Sequence, residues 1–277
     1  MLSLTHCQIA LETENSMQTW LKMTSIAASL AIAACTSSPT GRHQLLLFSN
    51  SDMNSLGVQS FEQMKQQQTV STNKQNNAYV QCVADSITQH VPQLPGLTRW
   101  EVVVFDSEQV NAFALPGGKI GVYTGLLDVA VNQDQLATVI GHEIAHVLAD
   151  HSNERLSQSQ LANAGLQLTS IALGSTEYAQ YRNITMSALG LGLQYGVLMP
   201  YGRTQESEAD IVGLELMAKS GFDPRQSIEL WKNMAKASGG SQPPELLSTH
   251  PSHRTRIQDL SAKINALPTY NVPRPKC

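Results

Sequence analysis

The chain has 277 residues, a formal net charge of −4 and 14% charged residues. That length is sufficient for one large domain or two small ones, with a buried core. Hydrophobic residues make up 42% of the chain, which is typical of a globular protein and excludes a largely disordered one. The mildly acidic balance gives no electrostatic reason for binding nucleic acid, so we expect no nucleic acid partner.

The N-terminal region carries the features of an export signal. Residues 23–34, MTSIAASLAIAA, form a short apolar run after Lys22, and this length is typical of a signal peptide rather than a membrane-spanning helix. The sequence Ile-Ala-Ala-Cys that ends at Cys35 resembles a bacterial lipobox, in which the cysteine becomes the lipidated first residue of the mature chain. We therefore predict that residues 1–35 are a signal peptide with a lipobox. An ordinary signal peptide and a buried helix are the alternatives.

The residues after Cys35 predict where the protein resides. In bacterial lipoproteins an Asp after the lipidated cysteine favours retention in the inner membrane, and here that residue is Thr36. We expect a periplasmic protein, anchored to the outer membrane by acyl chains on Cys35. Residues 36–51 are predicted to be a polar tether whose apolar patch, residues 45–48, docks on the domain.

Two further cysteines, Cys82 and Cys277, follow the predicted anchor. Because the periplasm is oxidising, one expectation is a disulfide that ties the C-terminal tail to the first helical region. Two unpaired thiols are the other expectation.

Beyond residue 51 the pattern predicts one α+β domain, residues 52–277, that is mainly helical and has a small sheet. Apolar residues at helical spacing predict helices first at residues 53–68 and 76–90. β-Branched and apolar residues then predict strands at residues 100–105, 111–115 and 119–123. Helical patterns return at residues 134–149, 157–198, 202–219, 224–237 and 254–266. The apolar, glycine-rich part of the longest helix, from residue 161 onward, is expected to pack as core, with a lid or a membrane contact as alternatives.

The segment from His142 to His146, HEIAH, predicts a zinc site on one of these helices. Residues four apart lie on one face of a helix, so His142 and His146 present two imidazoles to one ion. Glu143 lies about 100° round the helix from His142, beside the metal, which is the position of a general base for zinc-bound water. Apolar neighbours argue against the alternative, a surface helix that carries these residues by chance. We expect one Zn²⁺ per chain and Glu143 as a catalytic residue.

A catalytic zinc needs a third protein ligand, and the segment RTQESEAD supplies a candidate. Glu206 and Asp210 are four residues apart and share a helix face. Glu206 is the predicted ligand, and Asp210 is predicted to accept a hydrogen bond from the imidazole of His142. Glu208 lies about 200° from Glu206 and is expected to face elsewhere. A solvated acidic helix start is the alternative. Two residues on this side are small enough to let the helices approach closely, namely Ala209 and Gly213.

Two more histidines are weighed as site residues. His151 is five residues beyond His146, falls off the metal face and is expected to cap the end of the helix. His250 lies in a loop and is either a surface residue or a catalytic one that stabilises the oxyanion or gates the zinc. We carry it forward as a catalytic candidate.

A peptidase also needs a surface that holds an extended peptide. Lys119–Tyr123 is predicted to be an edge strand that pairs with substrate by strand addition, and glycines before it let a backbone approach closely. Gly118, Lys119 and Ile120 are the predicted substrate-binding residues. A plain hairpin is the alternative.

Four blocks together resemble a known family: NAFALPGGKIGVYTGLL, GHEIAHVLADHSNER, RTQESEAD and STHPSHRTRI. They are similar to the gluzincin family that contains the CAAX prenyl endoproteases and HtpX, and to its BepA-like and LoiP-like periplasmic branch above all. The resemblance implies His142, His146 and Glu206 as zinc ligands and Glu143 as base. It also maps the family's His-Pro block onto His250, with Arg256 following. The sequence departs from the family in two respects: it shows no multi-helix membrane domain, so membrane-embedded cleavage of prenylated proteins is not expected, and no tetratricopeptide-like region follows Leu260, so recognition through such repeats is not expected.

The expected fold is thus a mainly helical, zincin-type metalloprotease domain with a small sheet and an HExxH active-site helix. The expected function is a zinc-dependent endopeptidase of the bacterial periplasm that degrades misfolded or misassembled envelope proteins, as the family resemblance implies. The alternative is a chaperone-like outer-membrane assembly factor that binds such clients with little cleavage. A purely structural zinc is disfavoured, since it calls for four closed ligands and no cysteine lies near the motif.

Overall fold

The structure, a computed structural model, describes residues 35–174, 199–237 and 253–277. Within these ranges the helices are α1 (Asn50–Gln67), α2 (Lys74–Thr88), α3 (Thr124–Leu127), α4 (Gln133–Leu148), α5 (His151–Gly174), α6 (Met199–Lys219), α7 (Gln226–Ala237) and α8 (His253–Ala266). The strands are β1 (Cys35–Ser37), β2 (His43–Leu45), β3 (Glu101–Phe105), β4 (Ala112–Leu115) and β5 (Lys119–Tyr123). The predicted fold class, α+β and mainly helical, is confirmed.

The core lies where α4 packs between the sheet, α2 and α6. Apolar residues three or four apart give each helix one buried stripe, and these stripes meet at the centre of the domain. The fully buried members include Val80, Val83, Ile120, Val122, Leu136, Ile140, Ile144, Met217 and Leu230. Asn132 begins α4 by accepting hydrogen bonds from the backbone of Asp134 and Gln135, which satisfies amides that the helix leaves unpaired. The active-site helix is therefore fixed on several sides at once.

The three-stranded sheet corrects the predicted edge strand. Its order is β3-β5-β4, with β5 parallel to β3 and antiparallel to β4, so Lys119–Tyr123 is the central strand. Gly117 and Gly118 make the tight turn between β4 and β5, with φ values of 80° and 69°. Since both sides of β5 are already paired, strand addition there is excluded, and β4 is an edge of this sheet instead.

The helix after the HEIAH segment starts earlier than predicted. Asp150, with φ of 51°, turns the chain directly after α4, and α5 begins at His151 rather than at residue 157. The expected core packing of its apolar side chains is wrong for part of the described helix, because Leu161, Leu168 and Ile171 are 51%, 69% and 71% exposed. The remainder of that prediction, residues 175–198, lies outside the described residues. No helix among the described residues is long and apolar enough to cross a membrane.

The segment predicted as a tether is folded onto the domain. β1 and β2 form an antiparallel hairpin, here called the N-terminal hairpin (residues 35–45), and α1 already begins within the predicted tether. The N-terminal hairpin contacts the domain through polar groups: the buried side chain of Gln44 donates to the carbonyl of Ala149 at 2.6 Å. In the apolar patch Leu45, Leu46 and Phe48 are half-buried, while Leu47 is 46% exposed and its backbone N–H donates to Ser157.

The C-terminal tail returns to α2 and α4. Cys82 and Cys277 form a disulfide across a sequence separation of 195 residues, so the disulfide is the alternative that the structure adopts. Beside it, the backbone N–H of Cys277 donates to Gln133 at 2.9 Å, and the side chain of Gln133 donates to Pro275. The tail is thus held at the N-terminal end of the active-site helix.

Candidate metal centre

Two glycines allow the helices that carry the donor groups to touch. A Cβ at Gly213 on α6 would lie 2.7 Å from the backbone nitrogen of His142 on α4. A Cβ at Gly141 would lie 2.9 Å from the carbonyl oxygen of Gly213. Both spaces are too small for any side chain, so the helix axes approach as closely as backbones permit. The predicted close approach is therefore present.

Three donor atoms converge at this contact. His142 Nε2 lies 3.1 Å from Glu206 Oε2 and 3.1 Å from His146 Nε2, and His146 Nε2 lies 3.4 Å from Glu206 Oε1. Ligands bound to zinc at about 2.0–2.1 Å in tetrahedral geometry lie about 3.3 Å from one another, so these distances fit one zinc ion. The group of His142, His146 and Glu206 is the metal-compatible cluster of the described residues.

The His142 side of the cluster contains one predicted partner and one that sequence reasoning missed. Asp210 Oδ1 lies 3.0 Å from His142 Nδ1, as expected for the acceptor that orients the ring. Arg256 Nη2 donates to the same oxygen at 2.6 Å and lies 3.0 Å from His142 Nδ1. The Arg256 guanidinium is completely buried, 3.8 Å from the centre of the Trp231 ring. The family resemblance marked the position of Arg256 but not its place beside Asp210.

The His146 side corrects the prediction for His151 and gives Glu208 a partner that was not predicted. His151 does not cap α4; it is the first residue of α5, and its Nδ1 lies 2.8 Å from His146 Nδ1. Glu208 faces away from Glu206, as its spacing requires, but it is only 3% exposed and its Oε2 lies 3.1 Å from His151 Nε2. The sequence signal that could have identified this pair is that His151 and Glu208 are polar residues in segments that otherwise pack closely.

The electrostatic state of the two histidines differs without metal. Burial and the charge of Arg256 oppose protonation of His142, but hydrogen bonds to Asp210 and Glu206 outweigh them and raise its pKa to about 9. Burial lowers the pKa of His146 to about 3, even though Glu206 favours its charged form. The cluster thus holds one proton that a metal ion must displace.

The remaining predicted site residues are placed as follows. Glu143 lies half-buried on α4, one residue from His142. Gly118 is in the turn before β5, Lys119 Nζ pairs with Glu101 at 2.6 Å, and Ile120 is completely buried. These three residues belong to the turn and the central strand and offer no free edge to a peptide. His250 lies outside the described residues.

The fold and the cluster define a zinc metallopeptidase domain. A buried helix supplies two histidines and an adjacent glutamate, and a second helix supplies a buried glutamate at zinc-ligand distance. The sequence profile of peptidase family M48 matches residues 74–264, which is more than half of the chain. The chain belongs to peptidase family M48, whose members are zinc-dependent.

Relatives of known identity support this assignment. Mitochondrial metalloendopeptidase OMA1 of Bos taurus is 33% identical over 238 residues, covering 81% of this chain and 45% of that protein. The beta-barrel assembly-enhancing protease of Escherichia coli O157:H7 is 32% identical over 175 residues, covering 61% and 35%. The crystal structure of S. mikatae Ste24p shares the fold, with a TM-score of 0.54 and 15% identity over 76% of this chain and 56% of that chain.

These comparisons confirm the family and leave its branch open. The chain spans less than half the length of the two curated relatives described above. The mitochondrial relative matches a larger share of the chain than the bacterial one does, so the expected bacterial lipoprotein branch stays a prediction. The lipid anchor at Cys35 and the outer-membrane location stay predictions as well.

Proposed function

We propose that this chain is a zinc endopeptidase that cleaves unfolded or misassembled proteins. The observation that carries the proposal is the convergence of His142, His146 and Glu206 within 4.8 Å of one another, with Glu143 next to the first of them. These three side chains would hold the zinc, and a site with three protein ligands would leave a position for water or substrate. Bound zinc supplies a Lewis acid that polarises the peptide carbonyl and lowers the pKa of its water.

The side chains around the metal site have three different roles in the proposed reaction. Glu143 accepts the proton of the attacking water and later delivers it to the leaving amine. Asp210 accepts the Nδ1–H of His142, which leaves the Nε2 lone pair of that ring for the metal. Arg256 compensates the negative charge of Asp210 inside the domain.

The substrate would bind beside β4 rather than β5. β4 packs against α4, and among the described strands it pairs only with β5, so one of its edges has no strand partner. An extended peptide paired there runs past the active-site helix. Such pairing uses backbone hydrogen bonds, so it suits substrates that share an unfolded state rather than a sequence.

The test of the chemistry replaces Glu143 with glutamine. Glu143→Gln keeps about one zinc per chain but loses cleavage of casein and of an unfolded outer-membrane barrel protein by about 10²–10⁴-fold. Glu229→Gln, at a half-exposed position on α7, is the matched control and keeps full activity. Cleavage by Glu143→Gln at the control rate overturns the proposal. Wild-type protein that binds the unfolded client without cutting it establishes the chaperone-like alternative instead.

We also propose that the protein works in the bacterial envelope, with misassembled envelope proteins as substrates. The lipobox at Cys35 supports an acyl anchor facing the periplasm, and Thr36 after it supports sorting to the outer membrane. The similarity to a beta-barrel assembly-enhancing protease supports the substrate class. Cys35→Ala should release the protein from membranes, and membrane association that persists in this variant contradicts the anchor.

His250 stays a catalytic candidate on the strength of the family resemblance. We propose that it reaches the zinc site to stabilise the oxyanion or to gate the metal. His250→Ala should change kcat or zinc affinity, while His90→Ala, at an exposed histidine just after the end of α2, should change neither. Unchanged kcat and zinc affinity in His250→Ala reduce His250 to a surface residue.

A further inference from the structure

Two buried polar residues beside the cluster have no role in the proposed reaction. His151 is 1% exposed and Glu208 is 3% exposed. They join end to end: His151 Nδ1 lies 2.8 Å from His146 Nδ1, and His151 Nε2 lies 3.1 Å from Glu208 Oε2. Burying an imidazole and a carboxylate is unfavourable unless both are hydrogen-bonded, so this row of contacts calls for a function or a compensating network.

With both imidazoles neutral, the contacts allow one arrangement of protons along this row. Glu208 as a carboxylate only accepts, so His151 carries its proton on Nε2 and donates it to Glu208. The Nδ1 lone pair of His151 then accepts the Nδ1–H of His146. His146 is left with a free lone pair on Nε2, the atom that faces His142 and Glu206. This is the tautomer that a zinc ligand needs.

The N-terminal hairpin completes the row on the other side of Glu208. Thr40 donates its hydroxyl to Glu208 Oε1 at 2.6 Å and its backbone N–H to the same oxygen at 3.3 Å. Arg42 donates to Glu208 Oε2 from Nε at 3.1 Å and from Nη2 at 3.0 Å. Arg42 also makes two bonds to Glu154, at 2.6 Å and 2.7 Å. Glu208 is thus held by the hairpin and oriented towards His151.

We propose that His151 and Glu208 are positioning residues for the zinc ligand His146, and that the N-terminal hairpin holds Glu208 for this task through Thr40 and Arg42. The inference rests on the proposed role of His146 as a zinc ligand. In this arrangement Glu208 orients His146 through His151, whereas Asp210 orients His142 by a direct contact. It also makes the segment that follows the predicted anchor a part of the metal site.

The first experiment compares two substitutions of similar size at His151 in the full chain. His151→Gln keeps an acceptor for His146 and a donor for Glu208, whereas His151→Leu keeps neither. We expect zinc affinity, measured by competition with a chromophoric chelator, to fall about 10–100-fold in His151→Leu and to stay within about 5-fold of wild type in His151→Gln. The visible spectrum of the Co²⁺-substituted protein should change in His151→Leu alone.

Two outcomes of that comparison overturn the inference. One is wild-type zinc affinity and an unchanged Co²⁺ spectrum in His151→Leu. The other is an equal loss of affinity in both variants that parallels an equal loss of metal-free stability, which is what a packing role predicts. Glu208→Gln tests the same row without removing the buried ring, and Glu215→Gln, in the same helix but 43% exposed, is its control. A 10-fold or greater loss of affinity is expected in Glu208→Gln only.

The second experiment tests the hairpin by a double-mutant cycle. Arg42→Ala should weaken zinc binding about 10-fold, and His43→Ala, at the exposed neighbouring residue of the hairpin, should not weaken it. Because Arg42 acts through Glu208, combining Arg42→Ala with Glu208→Gln should cost little more than Glu208→Gln alone. Fully additive losses of zinc affinity refute the coupling.

Failure of this inference is distinguishable from failure of the proposed function. If the wild-type protein binds no zinc, or if Glu143→Gln cleaves as fast as wild type, the proposed function is wrong. If the wild-type protein binds zinc and cleaves while His151→Leu binds zinc equally well, only the positioning role is wrong.

Discussion

Replacing Gly213 with alanine is expected to separate the two helices that carry the metal donors. The new Cβ would lie 2.7 Å from the nitrogen and 2.8 Å from the Cα of His142. Comfortable contacts between such atoms begin at about 3.5 Å, so α6 has to move away from α4 by about 0.7 Å. The contacted atoms belong to the backbone, so no side-chain rotation relieves the clash.

The size of the effect follows from two opposing terms. Overpacking of this kind costs about 1–3 kcal/mol, and the better helix propensity of alanine offsets up to about 1 kcal/mol of it. We expect the free energy of unfolding to fall by about 1–2 kcal/mol in Gly213→Ala. Because zinc–ligand distances vary by only about 0.2 Å, moving Glu206 by about 0.7 Å should also weaken zinc binding by at least about 10-fold.

The assay is urea denaturation of the metal-free protein, combined with zinc competition at fixed pH. Gly165→Ala is the matched control, since a Cβ at Gly165 on α5 meets nothing within 4 Å. The control should gain up to about 1 kcal/mol, because alanine favours a helix and no atom is displaced. If Gly213→Ala is as stable as Gly165→Ala and binds zinc like wild type, the close approach of α4 and α6 does not position the site.

Three further predictions concern protons, the tail and a buried ion pair. Because the pKa of His142 is raised to about 9, zinc binding at pH 7 should release about one proton, which calorimetry in buffers of different ionisation enthalpy measures. For the same reason, the stability of the metal-free fold should decline as the pH rises from 6.5 towards 9. Cys277→Ser breaks a disulfide across 195 residues and should destabilise by about 2–5 kcal/mol in denaturant unfolding. Arg256→Leu removes the guanidinium partner of the buried Asp210 carboxylate and should destabilise by about 3–5 kcal/mol, whereas Arg225→Leu, at an exposed pair, should leave the stability close to that of wild type.

Each of the three has a contrary outcome. Zinc affinity that does not change with pH shows that the metal-free cluster holds no proton on His142. A Cys277→Ser variant with wild-type stability in the absence of reductant means that the disulfide does not stabilise the fold. Equal effects of Arg256→Leu and Arg225→Leu refute the buried pair with Asp210.

Sequence patterns predicted the parts of this protein that depend on local geometry. The spacing of His142 and His146 places both rings on one helix face, and the spacing of Glu206 and Asp210 does the same for the second helix. Apart from α3, which was not predicted, and α5, which begins at His151 rather than at residue 157, the described helices lie within a few residues of their predicted positions, because the period of apolar residues records which face is buried. The two glutamates, Glu206 and Glu208, also point in different directions, as their separation demands.

The predictions that failed depend on how the chain turns and packs beyond a single helix or strand. Nothing local distinguishes a central strand from an edge strand when both alternate, so the place of Lys119–Tyr123 in the sheet depends on β3, which precedes it by a long connection. His151 was judged by its position relative to His146 on a continuing helix, but the chain turns at Asp150 and returns the ring to His146. Arg256 reaches Asp210 only because α8 packs beside α6.

The sequence by itself determined the chemistry of this protein: the HEIAH helix, the acidic ligand on a second helix and the zinc that they imply. These features depend on spacing within single helices, which the 3.6-residue repeat sets. Only the tertiary structure decided which groups surround the ligands. The pairing of Cys82 with Cys277, the central place of β5 and the contact of the N-terminal hairpin with Glu208 all arise from packing between segments more than a dozen residues apart, for which no local repeat exists.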